Sequence, residues 1–267
     1  MAILKGGLPL TGSIQGLSAY TIRGSDKIII RSKGGASKKQ IQKLASFEPT
    51  RNLNAEWKGV TTAALNIRRG LNALKSLADY NISGPLNALV KKIQILDTVN
   101  PKGRRSILLS HYPDFISSFS YNRQTIFDSI IRQPLSVTVD KTTGIIDFQV
   151  PTLQQNINFF TDPRNMYFRL IFGCSPVGDY VFAEGSRRLY KTINYLIPKY
   201  IPTYGDWMPT NIQQASASYQ LKPFDAKLPG SDMILAFGAG IQYGKLAPDN
   251  TIQPVPYAGA ARIIRVV

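Results

Sequence analysis

The chain has 267 residues, of which 43% are hydrophobic and 10% aromatic, and a net charge of +16; that is enough apolar material to close a core without disulfides or metals. Its single cysteine, Cys174, and single histidine, His111, exclude an internal disulfide, a thiolate zinc centre within one subunit and any two-histidine metal site. Residues 1–110 carry 18 Lys/Arg against 5 Asp/Glu, and residues 111–267 carry 14 against 11, so the field that steers anionic partners belongs to the first part.

Lys5, Gly6 and Gly7 interrupt the first apolar residues, so no signal peptide is expected. No run of about 18 apolar residues offers a transmembrane segment. The expectation is cytoplasmic synthesis, followed by a place in a released or surface assembly. Residues 17–22 and 28–31 are β-prone and are separated by turn residues, which predicts a small hairpin within 12–33. Ser37 followed by Gln40 reads as a capping box opening a short basic helix, with Ile41 and Leu44 inward.

Leu53, Trp57, Val60, Ala64, Ile67, Leu71, Leu74 and Ala78 recur at alternating spacings of four and three. This predicts a helix of about seven turns with one apolar face, capped by Thr50. Residues 81–84 stop it, and Pro85 opens a second helix at its preferred first position. That helix carries Leu86, Leu89, Val90, Ile93 and Leu96 inward and ends before Asn100 and Pro101. The two stripes are expected to face each other as an antiparallel hairpin. An intermolecular coiled-coil seam would have the same spacing, but the small Ala64 and Ala78 suit packing within one chain. Arg68, Arg69, Lys75, Lys91 and Lys92 lie mainly off the stripes and are expected on a solvated cationic surface.

From about residue 135 the texture is β. Strands are predicted over 135–139, 145–150, 166–174, 180–183, 189–196, 215–221, 233–241 and 261–267. The fold class is therefore α+β: an N-terminal β-hairpin plus helical hairpin, followed by an antiparallel β-sandwich of roughly eight strands. The domains expected are a basic module over 1–110, a connector over 111–134 and the sandwich over 135–267. Residues 197–209 place Pro198, Pro202 and Pro209 among Tyr200, Tyr204 and Trp207. They read as an ordered loop packed over an open end of the sandwich, ahead of a sugar- or partner-binding surface.

The search for chemistry yields little. His111 stands beside Ser110, Tyr112 and Asp114, but a triad needs convergence in space rather than adjacency in sequence. Glu48, Glu56 and Glu184 do not cluster, and Asp140, Asp162, Asp206 and Asp249 have the neighbours of ordinary turn residues. The glycines of 238–245 fit neither nucleotide-loop pattern, and Leu246 stands where a Ser or Thr is needed. No catalytic residue, metal or cofactor is expected. Phosphate contacts are expected from Arg23, Lys27, Arg31, Lys33, Lys38 and Lys39 around two glycines and a helix start, with Arg68 and Arg69 beyond.

Three segments in order, 12–20 (GSIQGLSAY), 31–38 (RSKGGASK) and 47–52 (FEPTRN) with Glu56 and Trp57, resemble an uncharacterised family of basic proteins of about this size found in Bacteroidota genomes. That family usually has Phe at the position of Trp57, and 119–122 (FSYN) gives a weaker echo. The resemblance implies a bacterial source, no signal sequence, a variable sandwich-like C-terminal region and no established activity, so it lends no residue a role.

The role expected is that of a non-enzymatic structural subunit that self-associates or docks into a larger assembly, of phage-like or extracellular-filament type. Ile263, Ile264 and Val266 of the terminal strand would add to a neighbour's sheet edge, and Tyr200, Tyr204 and Trp207 would serve as further contacts. Its partners would be copies of itself or other assembly subunits. The alternative is a nucleic-acid-binding protein, with nucleic acid or another polyanion held on the cationic module.

Overall fold

A computed structural model describes residues 2–4, 12–21, 27–32, 34–140, 142–186, 189–192, 202–223 and 233–267. Two compact units divide between Arg51 and Asn52. In the first, β1 (Ala2–Leu4), β2 (Gly12–Ile14), β3 (Leu17–Thr21) and β4 (Ile28–Ser32) form an antiparallel sheet in the order β1-β4-β3-β2. The expected hairpin is β3 with β4, and two further strands flank it. Each of those has three residues, too few to show a period of two. Gln15 and Gly16, at φ 43° and 83°, supply the tight two-residue turn between β2 and β3.

Helix α1 (Lys38–Lys43) opens on the expected capping box. Ser37 Oγ accepts from the Gln40 amide at 3.2 Å, and Gln40 Oε1 accepts from the Ser37 amide at 2.7 Å. Leu44, expected inward, is exposed, and Ile41 is half-buried. The chain turns extended at Leu44, and Arg51 Nη1 donates to the carbonyls of both Ile41 and Leu44 at 2.8 Å. A cation thus satisfies carbonyls that a helix end leaves open.

Helix α2 (Glu48–Gly70) starts at Glu48, placing Thr50 inside the helix rather than at its cap. It ends at Gly70, and the predicted seven-turn helix continues only as a 3-10 helix, Asn72–Leu77. Gly70 stands at a close approach: a Cβ there would overlap Ser175. Tighter winding at three residues per turn aligns Leu71, Leu74 and Leu77 along one edge. That edge lies on glycines, since a Cβ at Gly238 would stand 2.5 Å from Leu74 Cδ1 and one at Gly240 2.5 Å from Leu77 Cδ1. Helix α3 (Ser83–Ile95) follows, with Pro85 at its third position rather than its first. It runs antiparallel to α2, as Arg68 meeting Ser83 and Glu56 meeting Lys91 require.

After the short helix α4 (Phe127–Ile130) come β5 (Ser136–Val139), β6 (Ile146–Val150), β7 (Tyr167–Gly178), β8 (Tyr180–Phe182), β9 (Tyr190–Thr192), β10 (Thr203–Tyr204), β11 (Met208–Pro209), β12 (Ala217–Leu221), β13 (Met233–Leu246) and β14 (Ile252–Val266). The central antiparallel sheet runs β10-β7-β13-β14, with β11 also on β7; a second sheet runs β12-β6-β5, and β8 pairs with β9. Leucines of the helical segment cover one face of the central sheet in a core with Val60, Ile67, Leu86, Ile171, Ala236 and Ile263. The second sheet covers the other face, with Phe148 4.8 Å from Phe172 and 6.0 Å from Phe237 between ring centroids. Covered on both sides, β13 is buried at nine consecutive positions, so its sequence reads as a continuous apolar run rather than an alternation.

The α+β class and the antiparallel sandwich stand, but the boundary expected at residue 110 does not. Helical and strand residues share one core, which places both in the unit 52–267. The expected connector is also part of the interior: Ile116, Tyr121, Phe127, Ile130 and Ile131 are buried.

On its outer side β14 is held by residues 118–122. The amides of Ser118 and Tyr121 donate to Ile263 and Ala261, and the Ile263 amide donates to Phe119. Nearer its start, β14 carries Pro254 and Pro256.

Candidate functional site

Arg68 and Arg69 fall in the last turn of α2, and Lys75 in the last turn of the 3-10 helix, where open carbonyls favour cations. The change in helix pitch brings them round one cavity of about 440 Å3, closed on its other sides by Asn81, Ser83, Tyr80 and Tyr121 and floored by Leu71 and Ile82. None of its lining residues is acidic. Arg68 Nε donates to the Ala64 carbonyl at 3.3 Å, and its Nη1 donates to Ser83 Oγ. Arg69 Nη1 reaches Asn66 Oδ1 at 3.4 Å. Among the described residues none of these three cations has a carboxylate partner.

Tyr121 is 1% exposed, and its hydroxyl has no hydrogen-bond partner. Burial raises its pKa far above the ordinary phenol value, against the opposing influence of the Arg68 guanidinium. The group is therefore a neutral donor at neutral pH. An unpartnered buried hydroxyl costs roughly 1–3 kcal/mol. Two guanidinium forks and one ammonium around a cavity without acids, with the Tyr121 side chain in its lining, suit a phosphate or carboxylate.

A second charged cluster is already satisfied. Glu56, 1% exposed, accepts from Lys91 Nζ at 2.7 Å and from the Gly103 amide at 2.7 Å, with Arg105 Nε at 3.7 Å. Burial opposes its ionisation, but the Lys91 bond, the Gly103 amide and the two cationic charges outweigh it and hold the carboxyl below its ordinary value. Gln94 and the Tyr190 hydroxyl tie the same knot to the Arg105 carbonyl at 3.2 and 2.8 Å. Lys91, expected on the solvated surface, is drawn into this network.

Of the expected phosphate contacts, Arg68 and Arg69 belong to the unit 52–267 and the others to residues 1–51. Arg23 and Lys33 lie outside the described residues. Lys27 is exposed, Arg31 lies over the Tyr20 ring at 5.3 Å, and Lys38 and Lys39 are exposed on α1. Arg68 and Arg69 line the cavity described above, together with Lys75 and Tyr121. Lys75 was expected on a solvated surface, and Tyr121 joins it only by folding, since no binding role was expected of residues 119–122.

Of the expected assembly contacts, the three terminal-strand residues pack on the protein's own core, while Tyr204 is 48% exposed. Ile263 is 0% exposed, Val266 packs on the helix-side core, and Ile264 packs on the opposite one. Tyr200 lies outside the described residues. Tyr204 and Trp207 hold the Arg169 guanidinium, 4.8 and 4.6 Å from their ring centroids, and a Cβ at Gly244 would stand 2.7 Å from Trp207. These two rings pack locally at the sheet edge.

The His111 ring is exposed and lies 6.4 Å from Tyr112, while Ser110 Oγ donates directly to Asp179 at 2.6 Å. Cys174 is buried, and burial raises its thiol pKa. Among the described residues no helix is long and apolar enough to cross a membrane. No protein-family profile, curated protein or solved structure matches the chain. The Bacteroidota resemblance therefore rests on its quoted segments alone, and the site is read from its own chemistry.

Proposed function

We propose that the protein is a binding protein for a phosphate-bearing polyanion, with nucleic acid as the partner its charge suits. The supporting observation is the cavity that gathers Arg68, Arg69, Lys75 and Tyr121 without any acidic residue in its lining. One phosphate group of the chain would sit in the cavity. The surplus of +13 over residues 1–110 would draw the rest of the polyanion by long-range attraction.

The test is fluorescence anisotropy of a labelled single-stranded oligonucleotide across a salt series. Binding at about 50 mM salt should weaken steeply as salt rises, because counterions are released. Replacing Arg68, Arg69 and Lys75 together by Ala removes the one phosphate contact placed in the cavity and should lower the log–log salt slope by about 0.7. No binding at low salt, or the same slope in the triple variant, would remove this reading.

A second reading, self-association, is favoured by one feature. Leu53 and Trp57, from the stripe expected inside, are 46% and 49% exposed, which leaves the start of that stripe for a second copy to cover. Light scattering at tens of micromolar tests it. An oligomer that Trp57→Lys returns to monomer supports the reading, and a monomeric wild type removes it.

A further inference from the structure

The pairing of β13 with β14 shifts register at two places, between Phe237 and Gly238 and, by more residues, between Gln242 and Gly244. Gln242 faces Gly259 and Gly244 faces Pro254, so Tyr243 alone stands opposite residues 255–258. Bulges of this kind re-aim side chains beside binding sites. At the crest is Tyr257, at φ 58° and 86% exposed. A left-handed backbone is costly for a bulky side chain, and at that exposure the ring recovers little by packing within the chain.

Tyr257 borders a cavity of about 240 Å3 with Asp79, Asp162, Asn165, Thr161 and Tyr243. This is smaller than the ~300–1,000 Å3 typical of drug-sized ligands, and the scale suits a single ring. Its acids are already matched. Arg164 Nη2 reaches Asp162 at 2.6 Å and, by hydrogen bonding, holds that carboxyl down at about 2. Asp79 accepts from the backbone amides of Arg123 and Gln124 at 2.9 Å. Burial pushes the Tyr243 phenol up to about 12, and the Thr161 hydroxyl lies near it without a completed hydrogen bond. The cavity therefore presents carboxylate and amide oxygens as acceptors, hydroxyls as donors and an aromatic face at the rim.

We propose that this cavity binds one saccharide ring, whose hydroxyls meet Asp79, Asp162, Asn165 and Thr161 while an apolar C–H face stacks on Tyr257. The proposal is independent of the anion site, which lies round Arg68 and Lys75.

Saturation-transfer NMR on the full chain tests it, with glucose, galactose, mannose and N-acetylglucosamine as probes at about 10 mM each, since one small ring in an open cavity is held only in the millimolar range. At least one sugar should show transfer, and the Lys75→Ala variant should leave that signal unchanged. The Tyr257→Asn variant, whose side chain tolerates positive φ, should keep or raise the melting temperature and weaken binding by roughly fivefold. Absence of transfer from all four sugars, or undiminished transfer in Tyr257→Asn, would overturn the assignment.

Discussion

Glu56 faces the core where the apolar stripe would place Trp57. The buried positions of α2 are Glu56, Gly59, Val60, Ala63, Ala64 and Ile67, so in its first half the inward face is turned by about one residue from the predicted line through Leu53 and Trp57. Two features enforce the turn. Gly59 admits the Tyr190 ring, whose Cγ would stand 2.7 Å from a Cβ there, and Glu56 gains Lys91, Arg105 and the Gly103 amide. Only partners 35 or more residues away make an inward carboxylate tolerable, and a 3.6-residue period carries no information about them.

Replacing Glu56 by Gln preserves shape but leaves Lys91 without its counterion, and breaking a buried pair costs about 3–5 kcal/mol. Urea unfolding at neutral pH should show a loss of that order. Because the folded carboxyl titrates below its ordinary value, its contribution is present above the unfolded pKa and disappears as pH falls through the folded one. The wild type should therefore lose stability more steeply than Glu56→Gln as pH falls below about 5.

At the scale of elements, the 3-10 helix and the glycines beneath it form one device. Leu74 and Leu77 can reach the central sheet only because β13 offers Gly238 and Gly240 under them. Gly238→Ala and Gly240→Ala should each destabilise by about 1–3 kcal/mol through overpacking, measured by thermal unfolding. Ala at exposed Gly84, where no atom lies within 4 Å of the added Cβ, is the control and should change stability far less.

The eight strands expected after residue 135 were legible because each combines β-prone residues with bounding turns; each predicted segment overlaps a strand, with ends off by a residue or more, while β10, β11 and the first half of β14 were not expected. Residues 193–196 of the fifth lie outside the described residues. The capping box was legible because it is local. The switch at Gly70 was not, since the i+3 spacing of Leu71, Leu74 and Leu77 suits an α-helix as well as a 3-10 helix, and the close approach of Gly70 to Ser175 on β7 lies outside the local sequence. The anion cavity was half legible for the same reason. Arg68 and Arg69 stand out by charge, whereas Tyr121 reaches them from a segment held beside β14 by the Ala261 carbonyl.

For the unit 52–267, the central sheet is covered on one face by helical leucines and on the other by aromatic rings. Amides of residues 168–174 and 235–241, buried with their side chains, should therefore exchange with deuterium last, opening only with global unfolding. Those of β5, which pairs on one side only, should exchange earlier. Equal protection of both sets would contradict the layered core.

The margin of β14 has a consequence for how copies of this protein can meet. Fifteen residues long and apolar toward its end, the strand has what a cross-β template requires. Yet Pro254 and Pro256 remove amide hydrogens along the first half, and residues 118–122 occupy the groups round Ile263. Ribbon growth through the main chain is blocked at this margin, so oligomers meeting on this side must be joined by side chains and should remain discrete.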